Sequence, residues 1–280
     1  MTQNDALSAS ALEAPAPPAY VLRDGDSLIP TWLAQGPWGE SLSGHVVGGV
    51  LGWALEHAVG DPEFQPARLT VDLLRPTAFE PLEITTAIQR DGRRIRLAEA
   101  ALAQYGTVVA RASALFLRRG EQPAGEVWSA PVAIPPLPDE PEQIPDAPFF
   151  IETYGWGAIS ADAGGTDWRH VSGPKYAWVR ETRLLIDGEP LTPFIRAAMA
   201  GDVTSSLTHW GTKGLQFINA DYTLTLSRLP DGPYIGLASL TQHSHAGVAT
   251  GLATLFDERG PIGSGMAVAL ANPGFRSPFQ

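Results

Sequence analysis

The chain of 280 residues contains no cysteine. That absence removes disulfides, thiolate-ligated zinc, iron–sulfur clusters and every thiol nucleophile at once. Positive charge is also scarce: 19 Lys and Arg stand against 30 Asp and Glu, a formal net charge of −11. A surface that binds a polyanion needs the opposite balance, so nucleic acid is not an expected partner. The apolar stretch Val46–Leu55 is only ten residues long, about half of what a membrane-crossing helix requires. No basic segment followed by an apolar core opens the chain, so a secretion signal is not expected and a cytoplasmic location is. Neither a Gly-x-Ser-x-Gly elbow nor a His-Glu-x-x-His run occurs, which excludes the motif-borne serine-hydrolase and zinc-protease readings.

Apolar residues make up 44% of the chain, with 29 Gly and 25 Pro, the composition of a globular protein rich in turns. Residues 1–19 are small, polar and Pro-rich and are expected to form a disordered tail. Residues 121–150 hold eight prolines, too many for a helix or a central strand, so they read as an extended connector. Two flanks remain, 20–120 and 151–280. Length alone already gave a prior of two domains or one double-sized unit.

The flanks repeat one order of elements. In the first, Val46, Val50 and Ala54, and Val47, Leu51 and Leu55, recur at helical spacing between Ser43 as N-cap and Gly60 as stop. So few positions are polar that the helix should be buried on nearly all sides. The β-branched runs Leu69–Leu74, Leu82–Gln89, Arg94–Gln104 and Val108–Leu117 follow, with turn residues between them. In the second flank, Thr192-Pro193 starts a helix that Gly211 ends, and strands are expected at Gln216–Ser227, Tyr234–His243, Gly247–Phe256 and Gly263–Ala271. Arg75 to Gly106 spans 31 residues and Arg228 to Gly260 spans 32, the spacing of an internal duplication. A buried helix enclosed by a long antiparallel sheet is a hotdog. Two tandem helix-plus-antiparallel-sheet repeats make an α+β double hotdog.

Gly44-His-Val-Val-Gly-Gly-Val-Leu51 and Leu69-Thr-Val-Asp-Leu-Leu-Arg-Pro76 in the first half resemble the acyl-CoA thioesterase II family. So do Gly188-Glu-Pro-Leu-Thr-Pro193, Ala200-Gly-Asp202, Phe217-Ile-Asn-Ala-Asp221 and the Asp257–Gly260 hairpin in the second. The resemblance covers roughly residues 20–273. It implies an acyl-CoA or other acyl-thioester substrate, hydrolysis by activated water, and no cofactor.

Asp202 matches the family's helical aspartate, which polarises the attacking water. A half-buried helical carboxylate has a raised pKa and suits a general base. Asn219 occupies the position of the family's water-holding hydroxyl or amide, and its amide both donates and accepts. Asp221 shares its strand face. The family places a Gln in the last strand where this chain has Ala267. Gln216, Thr223 or Ser206 would have to supply the missing contact, or the protein binds acyl thioesters without hydrolysing them. Backbone amides near Gly44 or on a facing strand are candidates for oxyanion stabilisation. His45 opens the first helix, and with Asp202 it offers a rival acid–base pair of the kind hotdog hydratases and dehydratases use. Yet no His-Phe-Pro motif surrounds it, and Asp202 and His209 stand seven residues apart rather than five. Phe217 and Arg94 complete the substrate-binding candidates. Arg94 lies in Arg90-Asp-Gly-Arg-Arg-Ile-Arg96, the one dense basic segment, which could meet the phosphates of coenzyme A. Trp53, Trp178 and Trp210 are either acyl-tunnel walls or plain core. His243 and His245 alone make too poor a ligand set for a metal. Long hotdog sheets leave edges that favour a homo-oligomer.

Overall fold

The structure is a computed structural model that describes residues 18–25, 27–128, 131–134, 136–137, 149–154 and 173–272, with 149–154 described by backbone alone. Most of the expected tail and the later part of the expected connector lie outside the described residues. Ala19 already belongs to the first strand and is fully buried.

The chain opens with β1 (Ala19–Asp24), β2 (Ser27–Pro30) and a short 3-10 turn (Trp32–Ala34). Then come α1 (Gly44–Val59), β3 (Phe64–Leu73), β4 (Glu83–Asp91), β5 (Ile95–Gln104) and β6 (Thr107–Arg118). β7 (Phe149–Tyr154), β8 (Tyr176–Glu181) and β9 (Leu184–Ile186) lead to α2 (Pro193–His209). The chain continues with β10 (Trp210–Gly211), β11 (Gly214–Leu215), β12 (Phe217–Asn219) and β13 (Asp221–Leu226). β14 (Ile235–His245), β15 (Val248–Asp257) and β16 (Gly260–Ala271) complete it.

Ten strands pair in the order β4-β5-β6-β3-β13-β16-β15-β14-β8-β7, with β12 added beside β16. The first half contributes 4-5-6-3 and the second its mirror, 13-16-15-14, joined where β3 pairs antiparallel with β13. The duplication extends to single residues. Thr70 lies opposite Ser113 on β6, and Thr223 opposite Met266 on β16, so both members are displaced by 153 positions (223 − 70 and 266 − 113). Thr70 and Thr223 themselves meet at the junction, their hydroxyls 3.0 Å apart. The fold is therefore a double hotdog, one continuous sheet wrapped around two helices.

Local chemistry explains the helix limits. Thr192 accepts the backbone N–H of Ile195 at 3.1 Å and Pro193 follows it, while Gly60 ends α1 in the left-handed region at φ 59°. The helices run antiparallel, since Gly44 meets Asp202, Gly52 meets Ala198, and Glu56 meets Thr192. A Cβ on Gly52 would stand only 3.0 Å from that of Ala198. The glycines of α1 thus serve both neighbours: Gly44 and Gly52 the opposing helix, and Gly48 the sheet, where it accommodates the Tyr222 hydroxyl of β13. One core cluster runs through both halves, including Leu51, Leu55, Phe116, Phe194, Met199 and Tyr222. As expected of so apolar a segment, nine residues of α1 are buried.

Strands β1, β2, β7, β8 and β9 were not legible in the apolar patterning. β7 begins at Phe149, inside the segment expected to be connector, but it lies at the end of the sheet order, where neighbouring prolines are tolerated. Val132, Ile134 and Leu137 pack on the outer side of the sheet against Tyr176, Trp178, Ala238 and Phe256.

Candidate functional site

The start of α1 is built in an unusual way. Its N-cap, Ser43, makes no side-chain cap; its hydroxyl instead lies 2.6 Å from Nδ1 of His45. The vacant capping position is taken by Asp202 from α2, whose carboxylate accepts the backbone N–H of His45. Gly44 permits the approach, because a Cβ there would stand 2.8 Å from the Asp202 carboxyl carbon. The positive end of the α1 dipole thus faces a carboxylate from the other half of the molecule.

Asn219 reaches the same carboxylate from the sheet, its Nδ2 donating to Oδ1 of Asp202 at 2.9 Å. A local break in β-pairing aims it. Asn219 lies opposite Ala269 on β16, Ala220 interrupts the strand, and Asp221 turns its Oδ1 onto the backbone N–H of Val268 at 2.7 Å. Asn219 and Asp221 therefore do not share one role: Asn219 meets Asp202, whereas Asp221 ties the strand to its neighbour.

Burial pushes the Asp202 carboxyl up to about 6, with the Asn219 and His45 hydrogen bonds pulling in the other direction. Beneath it lies Tyr222, fully buried and donating its hydroxyl to the Ala198 carbonyl at 2.7 Å. Its ring packs against Gly201, where a Cβ would lie 2.8 Å from Cε2. Burial, and the nearby Asp202 charge, hold the Tyr222 hydroxyl protonated. Tyr222 was not a sequence candidate. A tyrosine in an alternating strand carries no signal of the two glycines that receive it.

His45 touches Asp202 through its backbone. Its imidazole bonds Ser43 and stands edge-on to Tyr20, with ring centres 5.3 Å apart. Burial lowers it to about 4 and keeps it neutral. Tyr20 in turn donates to Glu181 at 2.6 Å, and burial raises that carboxyl to about 8.

Ser206 follows Asp202 by one helical turn, with its hydroxyl donated to the Val203 carbonyl at 3.1 Å. Phe217 lies beside His209, ring centres 5.8 Å apart. Burial lowers the His209 pKa, and its Nδ1 is 3.3 Å from the Ser205 hydroxyl. Ala267 is fully buried opposite Gly251 on β15. Thr208 occupies the space a Cβ of Gly251 would need, and Thr204 does the same at Gly265, so threonines of α2 fill the ground beside Ala267. Two other candidates for the missing contact are turned elsewhere: Thr223 bonds Thr70, and Gln216 donates to the Lys213 carbonyl.

Arg94 is not brought to this group. It sits exposed in the β4–β5 turn beside Arg96, which pairs with Asp61 at 2.9 Å just beyond the C-terminus of α1. The 16 residues of α1 separate the two ends by about 24 Å. Trp53 lies against His57 and under Arg23, Trp178 joins the outer cluster, and Trp210 is buried after α2 with its carbonyl accepting from Lys175 at 2.8 Å. His243 and His245 are exposed on β14. Among the described residues, no three His, Asp or Glu side chains gather as a metal would require.

Residues 34–117 match the family model described as the acyl-CoA thioesterase N-terminal domain. No curated protein matches the sequence. Solved structures share the fold. A hot dog fold protein from Alicyclobacillus acidocaldarius is 17% identical, with a TM-score of 0.66 over 90% of this chain and 95% of its own. The tesB protein of Mycobacterium avium subsp. paratuberculosis is 14% identical, with a TM-score of 0.63 over 98% and 100%. An acyl-CoA thioesterase II from Mycobacterium marinum is 20% identical, with a TM-score of 0.59 over 85% and 92%.

Proposed function

We propose that this chain, a double hotdog whose first half matches an acyl-CoA thioesterase domain, is an acyl-CoA thioesterase-like hydrolase. The observation that carries the reading is the Asp202 carboxylate, held at about 6 between the start of α1 and the Asn219 amide. A carboxylate with that pKa is largely ionised near neutrality and basic enough to accept a proton from water.

In the proposed reaction, Asp202 and Asn219 hold a water molecule facing the thioester carbonyl. The water oxygen bonds to the carbonyl carbon and its proton passes to Asp202. The Gly44 backbone N–H at the start of α1, next to the His45 amide that holds Asp202, stabilises the oxyanion. The tetrahedral intermediate then breaks its carbon–sulfur bond, the free acid leaves, and the departing thiolate takes the proton back from Asp202. No cofactor enters this sequence. Ser206 and Phe217, which lie between Asp202 and Asn219 in the chain, are assigned to the acyl-thioester site, along with Gly44 and His45. Residues 20–120 and 151–280 are assigned as the two hotdog units joined by 121–150. We place the protein in the cytoplasm as a homo-oligomer; no helix among the described residues is long and apolar enough to cross a membrane.

A second reading, binding without hydrolysis, is favoured by Ala267 and by the threonines that fill the space beside it. Thiol release from a panel of acyl-CoAs, with Asp202→Ala as control, separates the two. Release that Asp202→Ala abolishes supports the hydrolase. Retained binding with no release at any chain length refutes it. Hydration of an enoyl-CoA without thiol release would transfer the site to the His45–Asp202 acid–base reading.

A further inference from the structure

The two halves differ at one equivalent place. In the second half, the edge of β14 is covered: Ile235–Ala238 pair with β8, which pairs with β7. β4, the matching strand of the first half, ends the sheet order. A single bridge between Leu28 and Leu82 touches the chain just before it. Among the described residues, nothing pairs with the outer edge of Glu83–Asp91, and all of these residues but Ile84 are exposed. Bare edges of this length recruit further strands unless proline, charge, a bulge or a covering element blocks them; β4 has no proline or lysine, and its charges and its one irregularity lie at the ends, at Glu83 and at Gln89–Asp91, which leaves Ile84–Ile88 open.

The strand also complements itself. Ile84, Thr86 and Ile88 lie opposite Leu102, Ala100 and Ala98, all buried, so they share the helix-facing side. Glu83, Thr85 and Ala87 take the other side. The irregularity between Ile88 and Arg90 inserts Gln89 and puts Arg90 opposite Leu97, on the same side as Glu83. An antiparallel copy rotated about Thr86 therefore brings Ile84 against Ile88 of the second copy, Thr85 against Ala87, and Glu83 against Arg90, each contact occurring twice. Ile88, 44% exposed in the single chain, gains an apolar neighbour. Neither Glu83 nor Arg90 has a salt bridge within the described residues.

We propose that β4 is a homodimerisation edge, on which two copies of this chain join their sheets antiparallel about Thr86. Sedimentation velocity and light scattering on the full chain test it, with circular dichroism confirming that each variant is folded. The wild type is expected as a two-chain particle. Glu83→Arg replaces two opposite-charge contacts with two like-charge ones and should weaken association about tenfold or more. The double variant Glu83→Arg/Arg90→Glu restores both pairs and should recover the dimer. A monomeric wild type overturns the proposal, as does a Glu83→Arg protein that associates like the wild type. A charge swap that fails to recover association overturns the register and the proposal with it.

Discussion

Replacing Asp202 by Asn keeps the shape and one acceptor oxygen but removes the charge, and the structure fixes how stability should respond. Burial raises the folded-state pKa to about 6, whereas an unfolded Asp titrates near its ordinary value of about 3.9. The folded state therefore holds the proton more tightly. Its stabilisation from this group is fully present below the unfolded pKa and is lost as pH rises through about 6. Integrating the linkage, the wild type should lose about 1.4 kcal/mol between about pH 5 and pH 8 through this residue, and about 2.4 kcal/mol between pH 4 and pH 8. Asp202→Asn cannot show this loss. Urea unfolding of both proteins across that range isolates the term, since every other titrating group cancels in the difference. The variant should gain on the wild type by about 1.4 kcal/mol from pH 5 to pH 8 while losing thiol-releasing activity. A stability difference that stays flat with pH would refute the claim that burial holds this carboxyl up, and with it the argument that it is a tuned base.

Asn219→Ala removes a hydrogen bond that lowers the Asp202 pKa, so the acid limb of the kcat/KM profile should move to higher pH; an unmoved limb would show that Asn219 does not act on this carboxylate. Gly48→Ala drives a methyl group into the Tyr222 hydroxyl and threatens its bond to Ala198, so chemical denaturation should show a loss of about 2–4 kcal/mol. A neutral variant would mean that the helix and Tyr222 are not packed as described. In the β15–β16 hairpin, burial opposes ionisation of Asp257, but the Arg228 guanidinium and the N–H groups of Asp231 and Arg259 outweigh it and hold the carboxyl down to about 2. That contribution is present above the ordinary Asp pKa and lost as pH falls toward 2. Arg228→Ala should cost about 3 kcal/mol near neutrality in urea unfolding, and a loss below about 0.5 kcal/mol would contradict it.

What the sequence disclosed depended on whether a feature was periodic or relational. Both helices lie within a residue or two of where caps and stops placed them, and the eight long strands follow the apolar alternation, because each is decided by neighbours in the chain. Short pieces such as β1, β8 and β9 owe their pairing to distant partners, so nothing in Ala19–Asp24 announces that it will run beside Leu184–Ile186. The same division holds at the site. Asp202 and Asn219 were found because a family resemblance stored their relation. Tyr222 was missed because its place depends on Gly48 and Gly201, from two different helices. Arg94 was selected for its charge, a property that says nothing about which end of α1 its hairpin occupies.

The duplication also shows why chemistry gathers in one place although the fold offers two. Ser43 and Thr192 are the matching N-caps, 149 positions apart (192 − 43). The same displacement relates Asp202 to Trp53 (202 − 149). At the start of α2, Thr192 caps its own helix and gives its proton to Glu56 at 2.7 Å. Trp53 stands where a second aspartate would stand, beneath Arg23 and beside His57. At that helix start the Ile195 amide is satisfied by its own helix's cap, and the carboxylate from the opposite half reaches the cap hydroxyl rather than an amide. At the start of α1 the equivalent hydroxyl turns away to His45, and the freed amide takes the carboxylate from the opposite half. A strongly capped helix has little use for a buried anion, and an uncapped one stabilises it through the dipole and an unsatisfied N–H. The divergence of one hydroxyl, from capping its helix at Thr192 to bonding an imidazole at Ser43, therefore accounts physically for a carboxylate on the backbone amide at the start of α1, whereas at the start of α2 the opposing carboxylate, Glu56, meets the cap hydroxyl instead.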